Sequence, residues 1–327
     1  MNLVVGYCKD LYVWFRDGWD RFWFTPDGPE TVCLLRILTG WSLFYCHLVW
    51  TYGASEFLGA NGRVSVEFAR HAHRPPPIEG VTDLSAFAWS HLFWLENDNW
   101  ILLTNVVVLC VLACFTVGLF TRVTAVLSFL ITVSFAHRTV GALYGLDQIH
   151  AFLAMYLMLA PCGERYSVDA WRKRRQQGDA TLPAISTNIA LRLIQIHMCI
   201  VYLFAGLGKL FGDTWWRGDA LWGGFANYEY QTLDMTWTAS HPLFINFLTQ
   251  VTVAWEIAYI ALIWNRKLRP LMLLFAVLLH LGIAVCMGMV TFGFIMVVAN
   301  FAFIPSEFIR SLSKNGSRMP EGQGSGA

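Results

Sequence analysis

Charge is scarce in this chain. Asp, Glu, Lys and Arg make up 14% of its 327 residues, where a soluble domain carries about 25%. That shortage excludes a chain wetted on every side. The 23 basic and 22 acidic residues leave a formal charge of +1, and the basic ones are scattered through loops. No charged tail or patch recommends nucleic acid as a partner. The chain also lacks a paired CxxC, zinc-ligand spacing and a glycine-rich phosphate loop. Its eight cysteines sit in or beside apolar runs, which excludes an extracellular disulfide scaffold. Cys110 and Cys114, one helical turn apart, read as small packing residues. Residues 1–30 carry Lys9, Asp10, Arg16, Asp17, Asp20 and Arg21, with no h-region and no small-residue cleavage site, so they do not read as a signal peptide.

What the chain does have is apolar residues, at 56%, with 24 Phe and 15 Trp. Aromatics in that number suit membrane interfaces. Apolar runs occur at about 31–52, 99–119, 123–138, 147–161, 187–209 and 244–263, and over 270–304 as two joined runs broken near Gly288. A hydrocarbon layer of about 30 Å needs about 20 residues of helix. The predicted fold is therefore an all-α polytopic membrane protein: a bundle of about eight transmembrane helices over residues 31–305, preceded by an amphipathic N-terminal segment, 1–30. Arg172, Lys173, Arg174 and Arg175 form the most basic loop and belong on the cytoplasmic side. With that loop inside, both termini are cytoplasmic and the loops 53–98 and 210–243 lie outside. Residues 306–327 read as a disordered cytoplasmic tail. In the first outer loop, Pro75, Pro76 and Pro77 exclude a helix, and residues 85–97 read as a short packed or interfacial helix. His71 and His73 share a face if that segment is extended, but no third ligand stands at convincing spacing, so no metal is assigned.

Polar groups inside apolar runs need partners or a task. Arg36 either reaches the headgroups or pairs with an acidic residue. Glu256 neutralises Arg36 or Arg192, or is protonated, and His280 is satisfied by one hydrogen bond. Arg36, Glu256 and His280 thus read as structural polar residues. Asp147 and His150, three apart, share a helix face. Either the carboxylate orients the imidazole, or Asp147 simply caps a polar helix start. Lys209 stands where the 187–209 run leaves the hydrocarbon, followed by Asp213, Arg217 and Asp219 among Trp215, Trp216 and Trp222. It either snorkels into an aromatic belt or has a chemical task.

Four stretches carry a likeness. They are Leu34-Leu35-Arg36-Ile37 with Gly40; Tyr144-Gly145-Leu146-Asp147-Gln148 running on to Ala160-Pro161 and Tyr166-Ser167-Val168-Asp169; Ile200 to Lys209, IVYLFAGLGK, followed by Asp213, Trp215 and Gly218; and His280-Leu281 through Ile304-Pro305. On these residues the chain resembles the HTTM family, membrane proteins related to the transmembrane part of vitamin K-dependent gamma-glutamyl carboxylase. The resemblance implies a membrane enzyme, a quinol-dependent carboxylase or epoxidase-like lyase, whose lysine base activates vitamin K hydroquinone. Lys209 is the matching position. A lysine in a dry site can serve as a neutral base. His150, oriented by Asp147, would hold a quinol oxygen, and Trp215, Trp216 and Trp222 would wall the ring. The implied cofactor is reduced vitamin K or menaquinone, taken from the lipid bilayer. The chain departs from the carboxylase at Gly208, where that enzyme has a second lysine, and it ends about twenty residues after Pro305. Peptide carboxylation would then need another subunit to present the substrate. Other short members resemble maturation proteins for secreted bacterial peptides, so the alternative is a non-enzymatic scaffold in a bacterial inner membrane working with a peptide or protein partner.

Overall fold

The structure is a computed structural model that describes residues 2–59, 62–74, 87–95, 97–178, 182–229 and 231–316. The triple proline lies outside these residues. The order is α1 (Asn2–Phe24), α2 (Glu30–Tyr52), α3 (Ala54–Leu58), α4 (Val66–Ala72), α5 (Asp98–Val117), α6 (Thr121–Arg138), α7 (Gly145–Leu159), α8 (Val168–Gln177), α9 (Ile185–Lys209), α10 (Asp213–Arg217), α11 (Ala220–Phe225), α12 (Pro242–Leu262), α13 (Arg269–Cys286), α14 (Val290–Asn300) and α15 (Ser306–Gly316). Among the described residues there is no strand, only one isolated bridge between Asp27 and Ala184. α2, α5, α9, α12 and α13 are long and apolar enough to cross a membrane. The other three predicted spans fold as shorter or more polar helices. α6 has 18 residues, α7 has 15 and α14 has 11. The chain is an all-helical integral membrane protein.

The bundle turns large apolar side chains outward as well as inward. Leu271, Leu274, Leu278 and Leu281 make an exposed stripe along α13, and Leu102, Leu103, Val106 and Val107 another along α5. In water such stripes would be a liability; against lipid tails they are the expected surface. Inside, α2 packs most extensively on α5, and α9 on α12.

Helix ends follow the local chemistry. Asn97 caps α5 by accepting from the Asn99 amide at 2.8 Å, and Ser167 caps α8 by accepting from Ala170 at 2.9 Å. Gly118, at φ +73°, ends α5 in the left-handed conformation, and the Leu119 amide closes onto the Cys114 carbonyl at 2.8 Å. Asp169 then joins two helix starts. It stands in the first turn of α8 and accepts from the Phe120 amide (3.1 Å), the Thr121 amide (2.7 Å) and the Thr121 hydroxyl (2.7 Å) at the start of α6. Burial pushes this carboxyl up, but the bonds from Thr121 and Phe120, with Arg172 nearby, more than offset it and hold it below the usual carboxylate range. Its stabilisation is therefore present above the unfolded-state value of about 3.9 and is lost as pH falls through the lower folded value. Asp169→Ala should cost about 1–2 kcal/mol near neutral pH. In unfolding curves the gap from the parent protein should shrink on acidification; a gap independent of pH would refute the carboxylate's role.

One expectation fails. Residues 306–316 are not a disordered tail but helix α15, tied back to the start of α2. The Arg310 guanidinium reaches both Glu30 oxygens at 2.7 and 3.0 Å, and the Ser306 hydroxyl donates to the Gly28 carbonyl at 2.8 Å. Phe308 and Leu312, one turn apart, give α15 an exposed apolar side suited to an interface. Residues 317–327 lie outside the described part. In the 53–98 loop, the described residues hold a 3-10 turn, His91–Trp94, with Leu92 and Phe93 buried, and Ser90, His91 and Ser134 satisfy one another's polar groups at 2.6–3.0 Å. Arg138, buried at the end of α6, holds that loop by donating to the carbonyls of Leu58 (3.2 Å) and Val64 (2.6 Å).

Candidate functional site

The site is a cavity of about 440 Å³ enclosed by α7, α9, α12, α13 and α14 and covered by α10 and α11. It lies at the end of the bundle where α9 delivers Lys209, opposite Arg172, Arg266 and Arg269. One face of α9 supplies a wall: His197, Val201, Ala205 and Lys209 follow one another at four-residue spacing. Gly145, Gln148, Ile149 and Phe152 do the same from α7. Most of the remaining lining is apolar, with Met287, Met289, Phe292 and Met296 across from α9.

The charged feature of the cavity is a pair. Lys209 Nζ stands 2.7 Å from Glu256 Oε2 and donates to Oε1 at 2.9 Å. Only the bond to Oε1 is well aligned; Oε2 is close without hydrogen-bond geometry. The lysine side chain is 22% exposed and the carboxylate 7%. Gly206 permits this meeting. A Cβ there would stand 2.8 Å from Ile257 Cγ1 and 3.1 Å from Glu256 Cβ, so only glycine lets α12 approach α9 one turn before Lys209. The Trp215 ring lies 5.2 Å from the ammonium and completes its surroundings as a cation–π partner.

A second polar group forms the deeper wall. Tyr259 donates its hydroxyl proton to Asn300 Oδ1 at 2.6 Å, and Asn300 Nδ2 donates to the Tyr202 hydroxyl at 2.9 Å. The Tyr202 hydroxyl stands 2.8 Å from His280 Nε2 and shares one hydrogen bond with it, while His280 Nδ1 is buried with no partner among the described residues. Four helices, α9, α12, α13 and α14, are thereby joined in one chain of hydrogen bonds. Tyr202 and His280 face the cavity; Tyr259 and Asn300 stand behind them.

The sequence-predicted residues scatter around this centre. Lys209 and Trp215 are in the cavity wall, and so are Glu256 and His280, which the sequence reading made structural. Glu256 pairs with neither Arg36 nor Arg192 but with Lys209, because the close crossing of α9 and α12 brings those two together. His150 is buried elsewhere, its Nε2 2.8 Å from Ser42 Oγ of α2, and Asp147 accepts from the Tyr144 amide at 3.0 Å as the closing group of its own helix start. Neither lines the cavity, although their helix does. Trp216 donates its indole N–H to the Leu210 carbonyl at 2.7 Å and is mostly exposed; Trp222 is not part of the wall. Asp219 pairs with Arg217 at 3.2 Å on the surface. Arg36 neither reaches headgroups nor meets a carboxylate. It is fully buried and donates to the carbonyls of Phe115 (3.1 Å) and Tyr166 (2.6 Å). Tyr202, His197 and Gln148 carry cavity chemistry that the sequence reading passed over. The four-residue spacing back from Lys209 was the available signal for His197. Among the described residues no group of His, Cys, Asp or Glu is arranged to hold a metal, and His73 bonds the His137 carbonyl at 2.8 Å.

The HTTM domain pattern matches residues 80–308, which takes in α5 to α14 and every residue of the cavity wall. The chain belongs to the HTTM family. This HTTM protein is thus related to the transmembrane region of the vitamin K-dependent carboxylase. It is 24% identical over 234 residues to the uncharacterized protein YitO of Bacillus subtilis (strain 168), covering 67% of this chain and 73% of that protein. No solved structure matches the chain.

Proposed function

We propose that the Lys209 cavity binds a membrane quinol, reduced vitamin K or menaquinone, and that the Lys209–Glu256 pair takes up a phenolic proton. The observation that carries this reading is one ion pair set into an otherwise apolar cavity bounded by the helices of a membrane bundle. In this reading α2, α5, α9, α12 and α13 cross the bilayer with the shorter α6, α7 and α14 packed among them, and the ligand enters from the bilayer. The cavity lies within the roughly 300–1,000 Å³ of ordinary small-molecule sites, and its polarity suits a ring bearing oxygens: Lys209, Glu256, Gln148 and His280 among methionine and aromatic side chains. When bound, a quinol supplies two phenolic protons and two reducing electrons.

The chain's own part is to bind, orient and move a proton. The proton shared by the pair can sit on either partner, and Lys209 acts as a base when Glu256 holds it. The pair carries no net charge in either arrangement. With the proton on Glu256, Lys209 Nζ has a lone pair to offer a phenolic O–H. Tyr202, fixed by Asn300, holds the His280 ring in one orientation. Trp215 and the cover formed by α10 and α11 shield the pair in part and leave the lysine 22% exposed.

The test is equilibrium binding of vitamin K hydroquinone and menaquinol to the purified protein in lipid nanodiscs. Lys209→Ala removes a charged hydrogen-bond partner and should weaken binding roughly tenfold to a hundredfold, whereas Trp216→Ala, outside the cavity, should leave it unchanged. Equal affinity in the Lys209→Ala protein would end the proposal. The pairing of Lys209 with Glu256 also fits a non-enzymatic maturation or scaffold protein, in which the ion pair only locks α9 to α12. That second reading expects no quinol binding at all.

A further inference from the structure

A larger cavity than the Lys209 site is at the opposite end of the bundle. A crevice of about 1140 Å³ opens between α1, the start of α9, the turn from α12 to α13, and the segment joining α14 to α15. Four arginines line it: Arg21, Arg192, Arg266 and Arg269. Against them stand two carboxylates, Asp27 and Glu307, and Asp27 Oδ1 is already taken by the Gly28 amide at 2.6 Å. Among the described residues none of the four arginines lies within ion-pair distance of a carboxylate.

The two half-buried arginines are held in place from behind. Arg192 donates through Nε to the Phe22 carbonyl (3.2 Å) and through Nη1 to Gln195 Oε1 (2.9 Å), and its guanidinium lies 4.5 Å from the Phe22 ring and 5.9 Å from Trp264. Arg269 donates through Nε to the Ile263 carbonyl at 3.2 Å and through Nη1 to the Phe303 carbonyl at 3.5 Å. In both, Nη2 makes no hydrogen bond to the described residues. Two oriented guanidiniums with no carboxylate bonded to them are a preformed place for an anion with several acceptor oxygens. The walls beside them, Phe22, Trp264, Leu273 and Phe303, are apolar. A soluble anion has no use for such walls.

We propose that this crevice binds the phosphate head of an anionic membrane amphiphile, the phosphate between Arg192 and Arg269 and an acyl chain along Phe22, Trp264 and Leu273. The site stands apart from the Lys209 cavity and does not depend on its function. A bound phosphate would also anchor α1, whose end at Phe22 is gripped by Arg192.

The full-length protein in detergent is titrated with short-chain phosphatidylglycerol, short-chain phosphatidylcholine and glycerol 1-phosphate, and binding is read by calorimetry. Saturable binding is expected for phosphatidylglycerol alone. Arg269→Gln should weaken it roughly tenfold, the effect of losing one charge-assisted bond to phosphate. Arg192→Gln should do the same, but it also removes the bond to the Phe22 carbonyl and leaves the end of α1 to Asn188, which donates to the Phe22 and Trp23 carbonyls at 2.8 and 2.9 Å. The rim pair Arg21→Gln/Arg266→Gln disturbs no hydrogen bond within the bundle and serves as the second variant, expected to weaken binding severalfold. Equal binding of the two phospholipids would overturn the proposal, as would unchanged affinity in both Arg269→Gln and the rim variant. Glycerol 1-phosphate binding as tightly as phosphatidylglycerol would assign the arginines to a soluble phosphate and overturn the amphiphile.

Discussion

Replacing either member of the Lys209–Glu256 pair alone should destabilise the protein, and replacing both should restore it. Glu256→Gln leaves an ammonium facing a neutral amide in an apolar cavity; Lys209→Met leaves a carboxylate there, only 7% exposed. Breaking a buried pair costs about 3–5 kcal/mol. The lysine is 22% exposed and keeps some hydration, so about 2–3 kcal/mol is the better figure for Glu256→Gln. In Lys209→Met/Glu256→Gln no charge remains buried, and most of that loss should be recovered. Thermal unfolding of the four proteins in one detergent measures the cycle. The same four proteins separate the two functional readings. If the pair is a proton acceptor, the double variant folds and binds no quinol. If it is only a lock between α9 and α12, the double variant should retain whatever activity the protein has. Additive losses in the double variant would show that the two side chains do not interact.

The limits of the sequence reading follow from the range of the interactions involved. Helix positions were legible because their signals are local: apolar runs broken by Pro26 and Pro29, by Gly118, and by the basic turn at Arg266 and Lys267. The place of Lys209 at a helix end was legible for the same reason. Its partner was not. Glu256 is 47 residues away, and what selects it is the tight crossing at Gly206, a tertiary fact. Asp147 and His150 illustrate the opposite case. Their spacing left an orienting carboxylate or a helix cap open, and the structure shows the cap: Asp147 accepts from the nearby Tyr144 amide, and His150 meets Ser42 on another helix. Short polar side chains at helix starts find local backbone donors first. α15 was not legible because what ties it down is distant: Arg310 reaches Glu30, 280 residues away in sequence. Arg36 meets neither headgroups nor an acidic residue, because a lone arginine in an apolar run carries no mark of its acceptors, and here the acceptors are main-chain carbonyls from distant turns.

Those carbonyls make Gly118 the glycine most costly to replace. Its φ of +73° ends α5, and a Cβ built there would fall on Arg36 Nη1 and Ser167 Cβ. Gly118→Ala therefore does two things. It places an L-residue in the left-handed region, at about 1–2 kcal/mol, and it expels the guanidinium from the Phe115 and Tyr166 carbonyls. Each of those charge-assisted bonds is worth about 1.5–3 kcal/mol. Together they amount to a loss of about 4–8 kcal/mol, enough to unfold a marginally stable bundle. Gly141→Ala is the control: its φ is not positive, nothing lies near its Cβ, and it should change stability by about 0.5 kcal/mol or less. The two effects at Gly118 separate in a cycle with Arg36→Met. That substitution alone should be strongly destabilising, since it leaves the same carbonyls without their donor. Once Arg36 is gone, the added methyl no longer displaces a bond, and Gly118→Ala should cost mainly the backbone strain and the remaining contact with Ser167. Strict additivity of the two substitutions in chemical unfolding would show that the glycine does not act by making room for Arg36.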